Sequence, residues 1–387
     1  MKIIYYTNQI SRPGGLERVL VEKVNAWIGK GYEVEVLTFS QREKESYYDL
    51  DDRAIRSGLE IPYNSKKSSY SLTNLFFLLL HLYRLTLHLI KSKPDVILIA
   101  NCGLEFYFFP FLPTKAKIVK EEHLSFYLSE EQAKKHSIGK KLNNFFYQKF
   151  LSYYDRLIVL TKEEMKYFSS KRIVVIPNPI NVKKVESVLK KEREKVIISA
   201  GRLSSVKQFE KLIEIFNEIS ADHPDWKLKI FGDGSQRKKL EDKISSYHLQ
   251  HRVFLPGNTN NIYNEMQKAS IFALTSKTEG FSMVLLEAMI NGLPVISYDS
   301  PNGPRNIIKN KSDGFLVPLN DKLQFKKRLR HLIENRDLRR KMSERGRENV
   351  LRFKVSEVMK IWDRLFIDLG LEVKEDERMT NGNFSKN

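Results

Sequence analysis

Cysteine is almost absent. Cys102 stands alone among 387 residues, so neither an internal disulfide nor a cysteine metal cluster can form, as expected of a reducing compartment. Long apolar runs are scarce too. The opening MKIIYYTNQISRPGG meets polar and turn residues before it reaches signal-peptide length, and export is not expected. The most apolar stretch, Leu72 to Ile90, has an uninterrupted core of only Leu75 to Leu80, short of the roughly twenty residues of a span. Clustered basic arms and base-stacking aromatic motifs are also missing, which excludes nucleic acid as the expected partner. The net charge is nevertheless +19, from 66 Lys and Arg against 47 Asp and Glu. Residues 1–180 hold 27 basic and 19 acidic side chains and the remainder 39 and 28, so both halves share the excess. An anionic membrane surface and anionic small substrates fit such a charge.

What is present is an ordinary folded composition, 41% apolar and 29% charged, with length for two to three domains. Short β-rich runs alternate with longer amphipathic stretches. KIIYYT, EVEVLTF, DVILIA, AKIVKEE, RLIVLT and RIVVIPN form one series; KVIISAG, KLKIFGD, RVFLPG, IFALTS, LPVISY and GFLVPL form a second. Such runs read as buried parallel strands, giving an α/β protein of two doubly wound domains facing a cleft. The expected boundaries are 1–181, a charged linker 182–194, a second domain 195–354, a helix 355–371 returning to the first domain, and a disordered tail 372–387. The sequon at Asn383 falls in that tail and carries no weight in a cytosolic protein.

Within Leu72 to Ile90, Asn74, His81, Arg84, His88 and Lys91 recur at helical spacing and form one polar stripe. Two readings stay open: a helix packed on a sheet with that stripe as its edge, or a helix on a lipid surface, with Lys66, Lys67, Arg84, Lys91 and Lys93 as its basic residues.

In open α/β sheets ligands gather at the carboxyl ends of strands. After the first strand, Gly14-Gly15 precedes a helix and fits either close approach to a phosphate or a plain tight turn. After the first strand of the second series, Arg202 and Lys207 flank a helix start and suit a diphosphate, though a solvated surface explains them equally. In TSKTEGFSMVLLE, Ser282 is placed to cap a helix whose Met283, Val284 and Leu285 amides face an anion. Glu279 and Glu287, eight residues apart, can accept from sugar hydroxyls; the alternative is charge compensation of the helix dipole.

These residues carry a family resemblance. Gly201-Arg202-Leu203 through Lys207, Phe231-Gly232-Asp233-Gly234, Val253-Phe254 with Gly257, Glu279 to Glu287, Gly292-Leu293-Pro294, Gly303-Pro304 and Gly314-Phe315 resemble, in order and spacing, the retaining family 4 glycosyltransferases with the GT-B fold, of the bacterial surface-polysaccharide type. The first half matches more loosely, through Gly14-Gly15, His123, Thr161 and Pro177-Asn178-Pro179. The resemblance implies an enzyme that moves a hexosyl or N-acetylhexosaminyl group from a UDP-sugar to a glycan or lipid-linked acceptor; the single cysteine points to the cytoplasm, and the basic amphipathic first half to a peripheral position at the inner membrane face. Such an enzyme needs no cofactor and no obligatory metal. Arg202 and Lys207 would neutralise the diphosphate, with Gly14, Gly15 and the Met283 helix assisting. Glu287 would hold the ribose, and the backbone near Val253 and Phe254 would edge the base. Glu279, Gly280 and Phe281 would meet the sugar, with His123 beside it. Pro301-Asn302-Gly303-Pro304-Arg305 departs from the family's commoner Gly-Gly-x-Pro-Glu and leaves Arg305 without an assigned role. Asp49-Leu50-Asp51 resembles a GT-A metal motif but lies outside any strand-to-helix turn. A glycan phosphorylase would need a pyridoxal lysine motif that is not found, and a catalytically silent sugar-nucleotide binder is the other alternative.

Overall fold

The computed structural model describes the chain apart from residues 42–43, 65, 69, 124, 128–137, 183–192 and 375–387, and apart from the side chains of 138–141. Most of the expected linker and tail therefore lies outside the described residues, as does Asn383. The chain divides into two compact units. The first runs to His123, resumes through Pro179 and includes the C-terminal helix from Val355; the second holds Ile180–Lys354 and the short stretch after His123.

In the first unit seven parallel strands form one sheet. They are β1 (Lys2–Thr7), β2 (Glu33–Thr38), β3 (Ile55–Gly58), β4 (Val96–Ile99), β5 (Lys117–Glu121), β6 (Arg156–Val159) and β7 (Ile173–Val175), in the order β3-β2-β1-β4-β5-β6-β7. The β-rich runs of the sequence become six of these strands. The seventh, β3, escapes the pattern because an edge strand of sequence IRSG buries little. Helix α1 (Gly15–Gly29) turns Leu20, Val24 and Trp27 into the core. The C-terminal helix packs there too, Trp362 meeting Trp27 edge to face at 5.4 Å and Asp363 pairing with Lys30 at 2.5 Å.

The second unit has six parallel strands, β8 (Val196–Ala200), β9 (Lys227–Phe231), β10 (Val253–Gly257), β11 (Ile271–Leu274), β12 (Val295–Tyr298) and β13 (Gly314–Val317), in the order β10-β9-β8-β11-β12-β13. All six match the second series of β-rich runs. Winding reverses between β8 and β11, so the loops that follow these neighbours open side by side at the carboxyl edge.

Helix α2 (Leu72–Ser92) departs from the expected orientation. Its inward face carries Asn74, Leu78, His81, Leu85 and Leu89, while Leu72, Phe76, Leu79 and Tyr83 are 87, 66, 67 and 63% exposed. Only part of the polar stripe turns inward: Asn74 and His81 are buried among Leu78, Leu85 and Leu89, while Arg84 and Lys91 stay exposed. Tyr6 Oη lies 2.8 Å from His81 Nε2 and Tyr63 Oη 3.0 Å from Nδ1. Tyr6 already donates its one proton to Glu105 Oε1 at 3.0 Å, so His81 donates from Nε2 and accepts at Nδ1. Asn74 donates to the carbonyls of Asn64 and Ser68, and Arg84 to those of Leu59 and Glu60.

Burial lowers the pKa of His81 from 6.5 to about 4. The unfolded chain thus binds a proton that the folded protein refuses, and the stabilisation from neutral His81, full above pH 6.5, is lost as pH falls toward 4. Urea unfolding across that window should lose about 3 kcal/mol from this group. His81→Gln should flatten the slope; an unchanged slope would remove His81 as its source.

Candidate active site

The loop after β8 begins with Gly201 and Arg202 and turns back at once, Ser204 N–H donating to Arg202 O at 2.8 Å and Lys207 N–H to Ser204 O at 3.1 Å. The neighbouring loop after β9 presses against it backbone to backbone. A Cβ on Gly232 would overlap the Gly201 carbonyl, and Gly232 takes a positive φ of 129°, so only glycine fits. Leu203 N–H donates to Asp233 O at 2.9 Å. The loop after β11 joins from the other side, Lys277 N–H donating to Val206 O at 2.8 Å and Thr275 Oγ1 to Lys207 O at 3.1 Å.

These contacts bring Lys207 and Glu279 together, Nζ to Oε1 at 2.7 Å, with the side chains 20 and 9% exposed. The sequence assigned them to different parts of one ligand; the fold pairs them directly. Arg202 is exposed, and among the described residues its guanidinium has no partner. Gly303, from the loop after β12, abuts the same carboxylate residue: a Cβ there would stand 2.5 Å from Glu279 Cβ. Arg305 forks onto Asp299 with contacts of 2.8 and 2.9 Å, which gives the residue left unassigned a place on the loop surface.

Ser282 precedes helix α7 (Met283–Ile290; α3 is Ile138–Leu151, α4 Phe209–Ser220, α5 Arg237–Ser246 and α6 Ile262–Lys268). It does so in left-handed conformation, φ 59°, and its side chain does not cap. Of the three expected free amides, that of Leu285 already donates to Ser282 O at 3.0 Å, which leaves those of Met283 and Val284. Phe281 is corrected as well. Its ring is buried edge to face on Phe353 at 5.3 Å, so only its backbone can face a ligand, as with Gly280 beside it. Glu287, one turn into α7, is 7% exposed.

The sequence missed the feature that most marks this place as a site. Ser276 Oγ, Thr278 Oγ1, Ser282 Oγ, Ser300 Oγ and Asn302 Oδ1 are buried and have no hydrogen-bond partner among the described residues. All five belong to the loops after β11 and β12. A buried polar atom left unpaired costs about 1–3 kcal/mol, so five in two adjacent loops call for partners that ordered water or a polar ligand can supply. Ser and Thr in loops are too common for their types to signal this.

Val253 and Phe254 lie elsewhere than expected. Val253 pairs with Leu228, which pairs with Ile197, three residues before Ala200 and so roughly 10 Å down the strands from the Arg202 loop. The residue of this edge strand level with Phe231 and Ala200 is Gly257. Arg252 is structural, donating to the carbonyls of Ser220, His223 and Trp226.

In the first unit His123 follows β5. Its Nε2 lies 2.9 Å from Glu121 Oε2, and the same oxygen is 2.5 Å from Lys23 Nζ. Lys23 and Glu121 are 2 and 1% exposed. Burial by itself would raise the Glu121 pKa, but Lys23 and His123 overcome it and hold it at about 2. Burial lowers that of His123, with Glu121 opposing. A carboxylate only accepts, so neutral His123 carries its proton on Nε2 and offers Nδ1 as an acceptor. Lys23 was legible in part, since it sits on the α1 stripe of Leu20, Val24 and Trp27 where a lone cation needs a buried partner. At Gly14 the expected phosphate cradle holds the chain's own carboxylate instead: Glu17 folds back so closely that a Cβ on Gly14 would overlap its Oε2. Gly15 is exposed. Asp51 is forked onto Arg53 at 2.7 and 2.9 Å.

Residues 13–184 match the family described as Glycosyltransferase Family 4, and residues 182–349 match Glycosyl transferases group 1. An uncharacterized glycosyltransferase of Haemophilus influenzae is 26% identical over 366 residues, 93% of this chain and 98% of its own length. The amylovoran biosynthesis glycosyltransferase AmsD of Erwinia amylovora is 25% identical over 376 residues, 94 and 98% of the two chains. Among solved structures, a variant of S. aureus TarM in complex with fondaparinux, alpha-GlcNAc-glycerol and UDP superposes with TM-score 0.75 at 16% identity, covering 94% of this chain and 99% of its own. Two doubly wound sheets with this strand order, and two family matches that together run from residue 13 to 349, make the chain a member of glycosyltransferase family 4 with the GT-B fold.

Proposed function

We propose that this glycosyltransferase moves a hexosyl or N-acetylhexosaminyl group, with retention at the anomeric carbon, from a UDP-sugar to a glycan or lipid-linked acceptor in polysaccharide or glycoconjugate synthesis. The observation that carries the reading is the set of five unpartnered buried polar atoms beside Arg202 and the Lys207–Glu279 pair. A nucleotide-sugar supplies what such a place lacks, a spread of anionic oxygens and several hydroxyls. The amylovoran relative and the UDP in the TarM complex support the pathway and the base.

In this reading the diphosphate lies against Arg202, Lys207 and the amides of Met283 and Val284. Glu287 accepts from the ribose, and the base lies along the edge at Gly257. Lys207 then divides its charge between the phosphate and Glu279, whose free oxygen accepts from a sugar hydroxyl. The glycosidic C1–O bond breaks with both electrons passing to the diphosphate, and the two cations stabilise that developing charge. The acceptor oxygen bonds C1 on the same face, and its proton passes to the departing diphosphate. In the first unit His123, kept neutral by burial against the opposing Glu121 carboxylate, offers Nδ1 as an acceptor. Cations and helix amides take the role of a metal, so none is needed.

A panel of nucleotide-sugars offered to the purified protein should show binding and slow hydrolysis with UDP-sugars, and the transfer product should keep the anomeric configuration by NMR. Binding without any turnover would make the chain a sugar-nucleotide binder, and an inverted product would remove the retaining step.

Arg202→Ala should cut turnover about 100-fold, since one lost contact to a developing anion costs ~3 kcal/mol, and should leave the unfolding midpoint in place because the side chain is exposed. Lys207→Ala should lose as much activity and also stability, because Glu279 is left buried without its cation. Wild-type turnover in both variants would remove the diphosphate assignment.

Transfer should persist in excess EDTA. Complete loss restored by Mg²⁺ or Mn²⁺ would overturn metal independence.

A further inference from the structure

The outward face of α2 is built as a surface for something apolar. Its exposed residues, Leu72, Leu75, Phe76, Leu79, Tyr83 and Leu87, follow helical spacing along four turns, the pattern by which a helix covers a core. Here the core side is already taken by Leu78, Leu85 and Leu89 together with Asn74 and His81, and a second apolar stripe is left outside. Of the 19 large apolar side chains exposed among the described residues, 17 belong to the first unit and only Leu323 and Leu351 to the second. The patch continues beyond α2. A 3₁₀ turn, Leu104–Tyr107, packs beside it; Phe111 just after it is 60% exposed and meets Tyr153 at 5.3 Å, at the end of α3, where Phe145 is 62% exposed.

Charge names the occupant. Residues 61–94 contain five Lys or Arg and no Asp or Glu, and residues 138–154 contain three and none. The rest of residues 1–180 carries 19 basic and 19 acidic side chains. The whole positive excess of this half therefore lies in the two segments that bear the exposed apolar helices. Lys66, Lys67, Lys91 and Lys93, at the two ends of α2, are all exposed. An apolar stripe flanked by cations complements the acyl boundary and the phosphates of an anionic leaflet.

We propose that α2 docks the first unit on an anionic lipid surface, lying in the interface with Phe76 and Leu79 inserted and the lysines against the headgroups. By length and composition the 21-residue helix could cross a bilayer. It lies on the surface instead, because His81, Asn74 and Arg84 are bonded to the unit beneath and a span would strip them of those partners. The proposal goes beyond the transfer reaction and stands without it.

The test is sedimentation of the full chain with vesicles of phosphatidylcholine alone or of equimolar phosphatidylcholine and phosphatidylglycerol, over a range of salt. Binding should favour the anionic vesicles and weaken as salt screens the attraction. Phe76→Gln with Leu79→Gln should lower binding at least tenfold, as expected from losing two inserted apolar side chains, while Leu323→Gln leaves it unchanged. Lys66→Glu with Lys67→Glu and Lys91→Glu should lower binding to the anionic vesicles about a hundredfold. Circular dichroism and donor hydrolysis should stay at wild-type levels throughout, since none of these side chains is buried or in the donor site. Absence of vesicle binding at low salt, or equal binding by wild type and both sets of variants, overturns the proposal. Self-association that is abolished by Phe76→Gln with Leu79→Gln, without vesicle binding, assigns the face to a second copy of the chain and overturns it as well.

Discussion

Parallel pairing in register is the constraint on which the second unit's chemistry depends. Ala200 of β8 stands level with Phe231 of β9, and Phe231 with Gly257 of β10, so the loops after these strands emerge at one height. Reversal of winding between β8 and β11 then sets the Arg202 loop directly beside the Glu279 loop. Gly232 lets one backbone touch another, and Gly303 does the same for the loop that carries Asn302. Residues a hundred positions apart thus become neighbours without any of them lying inside a regular element.

Both units handle charge in the same way. Each sets a lysine against a buried carboxylate near a carboxyl edge of its sheet, Lys207 with Glu279 and Lys23 with Glu121. Desolvation of two ions is expensive, and a pair of this kind is weak evidence for stability by itself. Its use here is to hold a group in a defined state. Glu121 stays ionised and so fixes the tautomer of His123, while Lys207 is held against Glu279 beside a region where five buried polar atoms lack partners among the described residues.

Helix α2 shows how far tertiary context can alter a sequence pattern. Its hydrophobic periodicity is correct, and a helix forms over the expected residues with Ser71 as N-cap. The inward face is mixed because the unit beneath presents Tyr6, Tyr63 and open carbonyls alongside the Phe39 ring. Burying Asn74 and His81 with three leucines satisfies these groups and leaves Leu72, Phe76, Leu79 and Tyr83 outside.

The sequence by itself determined twelve of the thirteen strands and the two doubly wound series, and it put forward the donor-side residues. Strand runs are local, and loops such as GRLSSVK and TSKTEGFS keep their chemistry within a few positions. Only the tertiary structure decided which of these residues meet. The pairing of Lys207 with Glu279, the burial of Phe281 and the level of Val253 on its strand are matters of register and close packing between segments far apart in the chain. The five unpartnered polar atoms and the outward apolar face of α2 belong to the same class. Both are defined by what a residue fails to find nearby, and a single chain of letters carries no record of that.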